Sequence, residues 1–165
     1  MNSSAKRMAL GGVTAALGVA LMCMGTLIPV ATYMVPMMLC LFLGFLKPKL
    51  GVKYAFCWYL TVAVLGILLA PDKEAAAVFL FLGYYPIIKP WMDKKPLSLL
   101  WKLLLFNVTI LLMYWLLMHV FGMAAIREEF SELGTIMTIA TLVLGNVTFF
   151  LMDMLLGGKI RGRRR

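Results

Sequence analysis

Chemistry in this sequence rests on a few polar residues set among long apolar runs. One group mixes carboxylates, cations and phenols: Tyr33, Asp72, Lys73, Glu74, Tyr114, Arg127 and Glu128, with Thr32, His119, Glu129 and Glu132 beside them. Such a set can hold a small polar metabolite through charge-assisted hydrogen bonds. Equally, it describes ordinary solvated loops, with His119 as an anchor at a membrane interface. A second group, Lys89, Asn107, Asn146 and Asp153, falls within or at the ends of apolar stretches. Ionisable groups there pair or face water. Asn146 and Asp153, seven residues apart, stand nearly in line on a helix. The expectation is an ion pair between Lys89 and Asp153, with Asn107 and Asn146 bonded between helices. Snorkelling of Lys89 to the interface is the alternative. A proton relay has less support, because no second acid lies deeper. No HExxH, P-loop, GxSxG, paired-carboxylate or Cys/His constellation occurs. Cys23, Cys40 and Cys57 form no CxxC and read as packing residues, so metal and disulfide frameworks are unsupported. The expected protein is no enzyme and needs no cofactor or metal.

The elements that carry these residues are membrane helices. Of 165 residues 63% are hydrophobic and 14% charged, against about 25% charged in soluble domains. A span needs about 20 apolar residues, so six would use about 120 and leave about 45 for loops and tails. The expected fold is therefore all-α, a single transmembrane domain over residues 1–165. Its spans fall at about 8–28, 30–46, 52–70, 75–88, 97–121 and 133–156, with a basic tail at 157–165. Gly25, Thr26 and Pro29 divide the first two. The segments Lys47–Gly51, Pro71–Glu74 and Lys89–Pro96 read as charged turns. Span four, 14 residues, rises only about 21 Å, short of a hydrocarbon core of about 30 Å. It must be thin, kinked or sheltered by neighbours. The start resembles a signal peptide, but the apolar run continues without an A-x-A-like site. A retained first helix is expected.

Charge sets the orientation. With both termini in the cytoplasm, the inner side holds Lys6, Arg7, Lys47, Lys49, Lys53, Lys89, Lys94, Lys95, Lys102, Lys159, Arg161, Arg163, Arg164 and Arg165. The outer side holds only Lys73 and Arg127. The positive-inside rule favours this arrangement clearly. It turns the net charge of +9 into a topology signal and removes the case for nucleic acid. The polybasic tail is expected to meet anionic lipid heads.

Two small-residue ladders run along span one. Ala9, Gly12, Ala16, Ala20 and Cys23 share one face, and Gly11, Ala15, Gly18 and Gly25 another. Small residues four apart let helices approach closely in lipid. They serve packing inside the bundle or docking of a partner, and two faces favour one contact of each kind. In span six a stripe of Gly134, Thr138, Thr141, Gly145 and Thr148 lines a cavity, or its threonines bond their own helix and its glycines admit a neighbour.

The size, six spans, basic start and the AxxxA of Ala16 and Ala20 resemble the substrate-binding S components of energy-coupling factor transporters. Gly25-Thr-Leu-Ile-Pro29, with Pro36 beyond, resembles the proline-bearing first loop that helps close their substrate site. Pro71–Glu74, Gly83–Pro86 and Leu144–Asn146 also resemble segments of small membrane proteins of Gram-positive bacteria. The resemblance implies a multi-pass protein of the bacterial plasma membrane, with both termini cytoplasmic, that captures a vitamin-like micronutrient outside. It implies a ligand shell of Tyr33, Asp72, Lys73, Glu74, Tyr114, Arg127 and Glu128. It implies docking through Gly12, Ala16 and Ala20 on a coupling protein with two ATPases, and transport by toppling of the loaded bundle. Two other classes fit the size and span count. One is a cell-envelope scaffold of the rod-shape type. The other is a stand-alone transporter or channel, whose path would use the short fourth span and the span-six stripe.

Overall fold

The computed structural model describes residues 3–25, 31–119, 134, 139–140 and 142–157. Among them the structure consists of helices and turns, with no strand. Seven helices follow in order: α1 (Ser3–Gly25), α2 (Ala31–Leu50), α3 (Val52–Leu69), α4 (Lys73–Leu82), α5 (Tyr85–Met92), α6 (Ser98–His119) and α7 (Leu142–Gly157). Five stretches are long and apolar enough to cross a membrane: α1, α2, α3, α4 with α5 together, and α6. They make this a multi-pass membrane protein by length and composition. The described part of the expected sixth span is the shorter apolar helix α7. The basic tail lies outside the described residues.

The expected turn at Lys47–Gly51 is helical almost to its end. α2 runs through Pro48 to Leu50, and one residue, Gly51, turns the chain into α3 with φ +88°. That backbone region suits glycine, which has no Cβ to clash. The expected turn at Lys89–Pro96 likewise begins too early, since Lys89–Met92 belong to α5.

The short fourth span is a broken one. α4 stops at Leu82 and α5 begins at Tyr85, so the pair covers Lys73–Met92 with a bend at Gly83 and Tyr84. A Cβ at Gly83 would lie 3.0 Å from the rings of Tyr59 and Phe79. Pro86 cannot donate to the carbonyl four residues back, which favours ending α4 there. The break is sheltered. Tyr59 Oη donates to Leu80 O at 2.6 Å. Lys47 Nζ donates to Pro86 O at 3.1 Å and Ile87 O at 2.9 Å. Pro86 O is the carbonyl that Pro90, lacking an N–H, leaves without a helical donor. Irregular backbone at membrane depth persists where protein groups satisfy it, and these two side chains do so.

The chain divides into two compact units, Met1–Lys94 and Lys95–Arg165. In the first, α4 is central, with Ala75, Ala76, Ala77, Val78 and Phe79 all buried. Small and large residues interlock between α1 and α3. Gly18 faces Trp58 and Val62, while Gly66 on α3 faces Met22. Thr14 donates to Leu10 O and accepts from Trp58 Nε1 at 3.0 Å.

In the second unit, α6 and α7 run antiparallel. Lys102 meets Asp153, Phe106 stacks on Phe149 at 4.7 Å, and Asn107 meets Asn146. Gly145 admits the Phe106 ring, 3.1 Å from where its Cβ would be.

Candidate functional site

The first expected ligand group assembles where the start of α2 meets the α3–α4 turn. Each charge there follows from a helix end. Asp72 is the N-cap of α4, and its Oδ1 accepts from the Ala75 N–H at 3.0 Å. Glu74 lies in the first turn, where the helix dipole favours an anion. Lys73 Nζ turns back to the opposite end of α3 and donates to Ile67 O and Ala70 O at 2.8 and 2.9 Å. Those are carbonyls at the end of a helix, where a cation is favoured.

Adjacent hydroxyls of α2 then close the cluster. Thr32 Oγ1 donates to Asp72 Oδ2 at 2.7 Å, and Tyr33 Oη donates to Glu74 Oε1 at 2.6 Å. The result is a two-point clasp between α2 and the α3–α4 turn, built from neutral donors on carboxylates. Tyr33 stays exposed and Asp72, Lys73 and Glu74 half-exposed.

Tyr33, Asp72, Lys73 and Glu74 are thus brought together, with Thr32 as a fifth member. Tyr114 belongs to the other unit, buried on α6. Arg127 and Glu128 lie outside the described residues. His119 turns to its own helix: its Nδ1 is 3.0 Å from Trp115 O and its ring stacks on Trp115 at 5.1 Å.

Asp72→Ala should lower stability by about 1–2 kcal/mol, because a lost N-cap costs that much. Thermal unfolding of the full-length protein in detergent checks it. A loss below about 0.5 kcal/mol would show the cap and the Thr32 bond to be dispensable.

The two small-residue faces of α1 take different environments. Gly11, Ala15, Gly18 and Gly25 face inward or lie half-buried, and Gly25 meets Val35 and Ala31. Ala9, Gly12, Ala16 and Ala20 are exposed, and a Cβ at Gly12 would meet nothing within 4 Å.

The intramembrane polar group falls in both units. In the second, Asn107 and Asn146 exchange two amide hydrogen bonds, at 3.1 and 3.0 Å. Each also donates to the carbonyl four residues back, Leu103 O and Leu142 O. Asp153 Oδ2 accepts from Lys102 Nζ at 3.0 Å. Sequence reading paired Asp153 with Lys89 and counted Lys102 among the boundary charges. Lys102 is instead buried. It shares with Phe106 and Thr109 the face that α6 buries. Within the first unit Lys89, also buried, lies 3.7 Å from Asp93. Thr148 donates to its own Leu144 O and Gly145 packs on Phe106. Of the span-six stripe, Thr148 thus bonds its own helix and Gly145 admits a neighbour. Thr138 and Thr141 lie outside the described residues.

Among the described residues no group of three or more His, Cys, Asp or Glu is placed to hold a metal ion. Comparison with family models, with curated proteins and with solved structures found no match to this chain.

Proposed function

We propose that this chain is the substrate-capturing membrane subunit of a micronutrient uptake system. In this reading it is a six-span protein of the bacterial plasma membrane with both termini cytoplasmic. It performs no covalent chemistry. It binds a small vitamin-like molecule on the extracellular side and docks on a coupling protein with two ATPases. The observation that carries the proposal is the divided α1, which spends one small-residue face on α3 and α2 and, among the described residues, leaves the other exposed. A helix that already has its internal contact does not need Gly12, Ala16 and Ala20 for packing within its own unit. Small residues exposed toward lipid suit close approach of another membrane helix.

The clasp supports the capture step. Its bonds join α2 to the α3–α4 turn through groups that can exchange partners. A ligand offering its own hydroxyls or amines competes for Asp72 and Glu74 there. A second reading, the cell-envelope scaffold, draws on the same clasp, since its polar groups bind one another.

Ligand-dependent stabilisation separates the two. A molecule that binds only the folded state stabilises by RT ln(1+[L]/Kd), about 2.7 kcal/mol at a hundredfold excess over Kd. Full-length protein is to be melted in detergent with a panel of vitamins and with cobalt or nickel. The transport reading expects one member to raise the unfolding temperature, and Glu74→Ala to abolish that rise. A panel without effect favours the scaffold.

A further inference from the structure

We propose that the α2–α3 end of the first unit carries a binding site for the phosphate headgroup of an anionic phospholipid, formed by Arg7, Lys49 and Lys53 with Lys6 beside them. The site joins segments more than forty residues apart in the chain. Lys49 and Lys53 flank Gly51, the one-residue turn between α2 and α3. The Arg7 guanidinium of α1 reaches that turn: its Nη1 lies 3.8 Å from where a Gly51 Cβ would be. Lys6, Arg7, Lys49 and Lys53 are all exposed. Among the described residues none of the four has a carboxylate partner, whereas Lys89 and Lys102 each do. Lys47, two residues before Lys49, is occupied by the carbonyls of the broken span. The cluster therefore concentrates positive charge that no carboxylate among the described residues neutralises.

Its surroundings select a lipid over a free anion. Met8, Val52 and Phe56 stand exposed beside these cations. Apolar contact and phosphate contact are thus available together, which is the form of an acyl chain continuing into a charged head. Each cation at an anionic membrane surface contributes about fivefold in binding.

The test uses full-length protein in nonionic micelles doped with phosphatidylglycerol or phosphatidylcholine, read by thermal midpoint and by lipid retained in native mass spectra. Phosphatidylglycerol should raise the midpoint and remain bound. R7Q/K49Q/K53Q should require about tenfold or more phosphatidylglycerol for the same rise. R163Q/R164Q/R165Q, with the same charge removed from the tail, should change the requirement clearly less than R7Q/K49Q/K53Q does. Single Arg7→Gln should show a partial loss, which secures the result if the triple variant folds poorly. Equal losses in the two triples would show diffuse charge attraction and overturn the site. So would an equal effect of phosphatidylcholine, or the same midpoint rise with inorganic phosphate alone.

Discussion

Lys102→Met and Asp153→Asn should each destabilise the protein by about 3–5 kcal/mol, the largest effect expected of any single change considered. The pair is short, at 3.0 Å, and both side chains are largely buried. Removing one partner deprives the other, still buried, of this charge-assisted bond. The penalty is then set by desolvation rather than by the attraction that was lost. Replacing both should be far milder. Lys102→Met with Asp153→Asn removes both charges at once, so much of the loss should be recovered. The stacked Phe106–Phe149 pair and the reciprocal amides of Asn107 and Asn146 still hold α6 to α7 in that variant. Thermal unfolding of all four proteins in detergent gives the coupling directly. Harmless single variants would contradict the pairing.

Lys47→Met should cost about 1–3 kcal/mol, the penalty for leaving the Pro86 carbonyl unbonded. The reason is local to the broken span. Pro90 cannot serve the Pro86 carbonyl, and the lysine at the end of α2 does so while also bonding Ile87 O. Lys47→Arg keeps a donor and should recover part of the loss. Because the damage is confined to one element, amide hydrogen exchange should rise in residues 84–92 before it rises in α3. Unchanged exchange there would contradict the role of Lys47 as the donor for this backbone.

What the sequence made legible was what hydropathy and breakers encode. Pro71 follows the end of α3 as expected, and the span expected at 52–70 is the helix Val52–Leu69. The fourth stretch was readable as too short and in need of shelter. That it extends to Met92 was not readable, because Lys89 and Pro90 look like the start of a loop. Only the buried environment of Lys89 and the donors supplied by Tyr59 and Lys47 make that backbone tenable. Lys102 was misplaced for a related reason. A lysine near a span end satisfies the positive-inside count whether it faces water or a buried aspartate, and sequence spacing alone does not separate the two. The clasp was legible as a group of residues and not as a set of bonds. Asp72 and Lys73 serve the ends of two different helices, which depends on how tightly α3 turns into α4. The double face of α1 was legible in full as spacing. Which face is used inside became readable only with Gly18 against Trp58 and Val62.

The exposed small-residue face of α1 is tested most directly by one measurement. Full-length wild type and Ala16→Trp are to be purified through the same affinity tag from the native membranes, and the co-purifying subunits quantified. Ala16 is exposed, so the variant should melt within about 0.5 kcal/mol of wild type. The account predicts a coupling protein and two ATPases in fixed ratio with the wild type, and their loss from the Ala16→Trp protein. A wild-type chain that brings no ATPase, or an Ala16→Trp chain that retains the full complement, would contradict it.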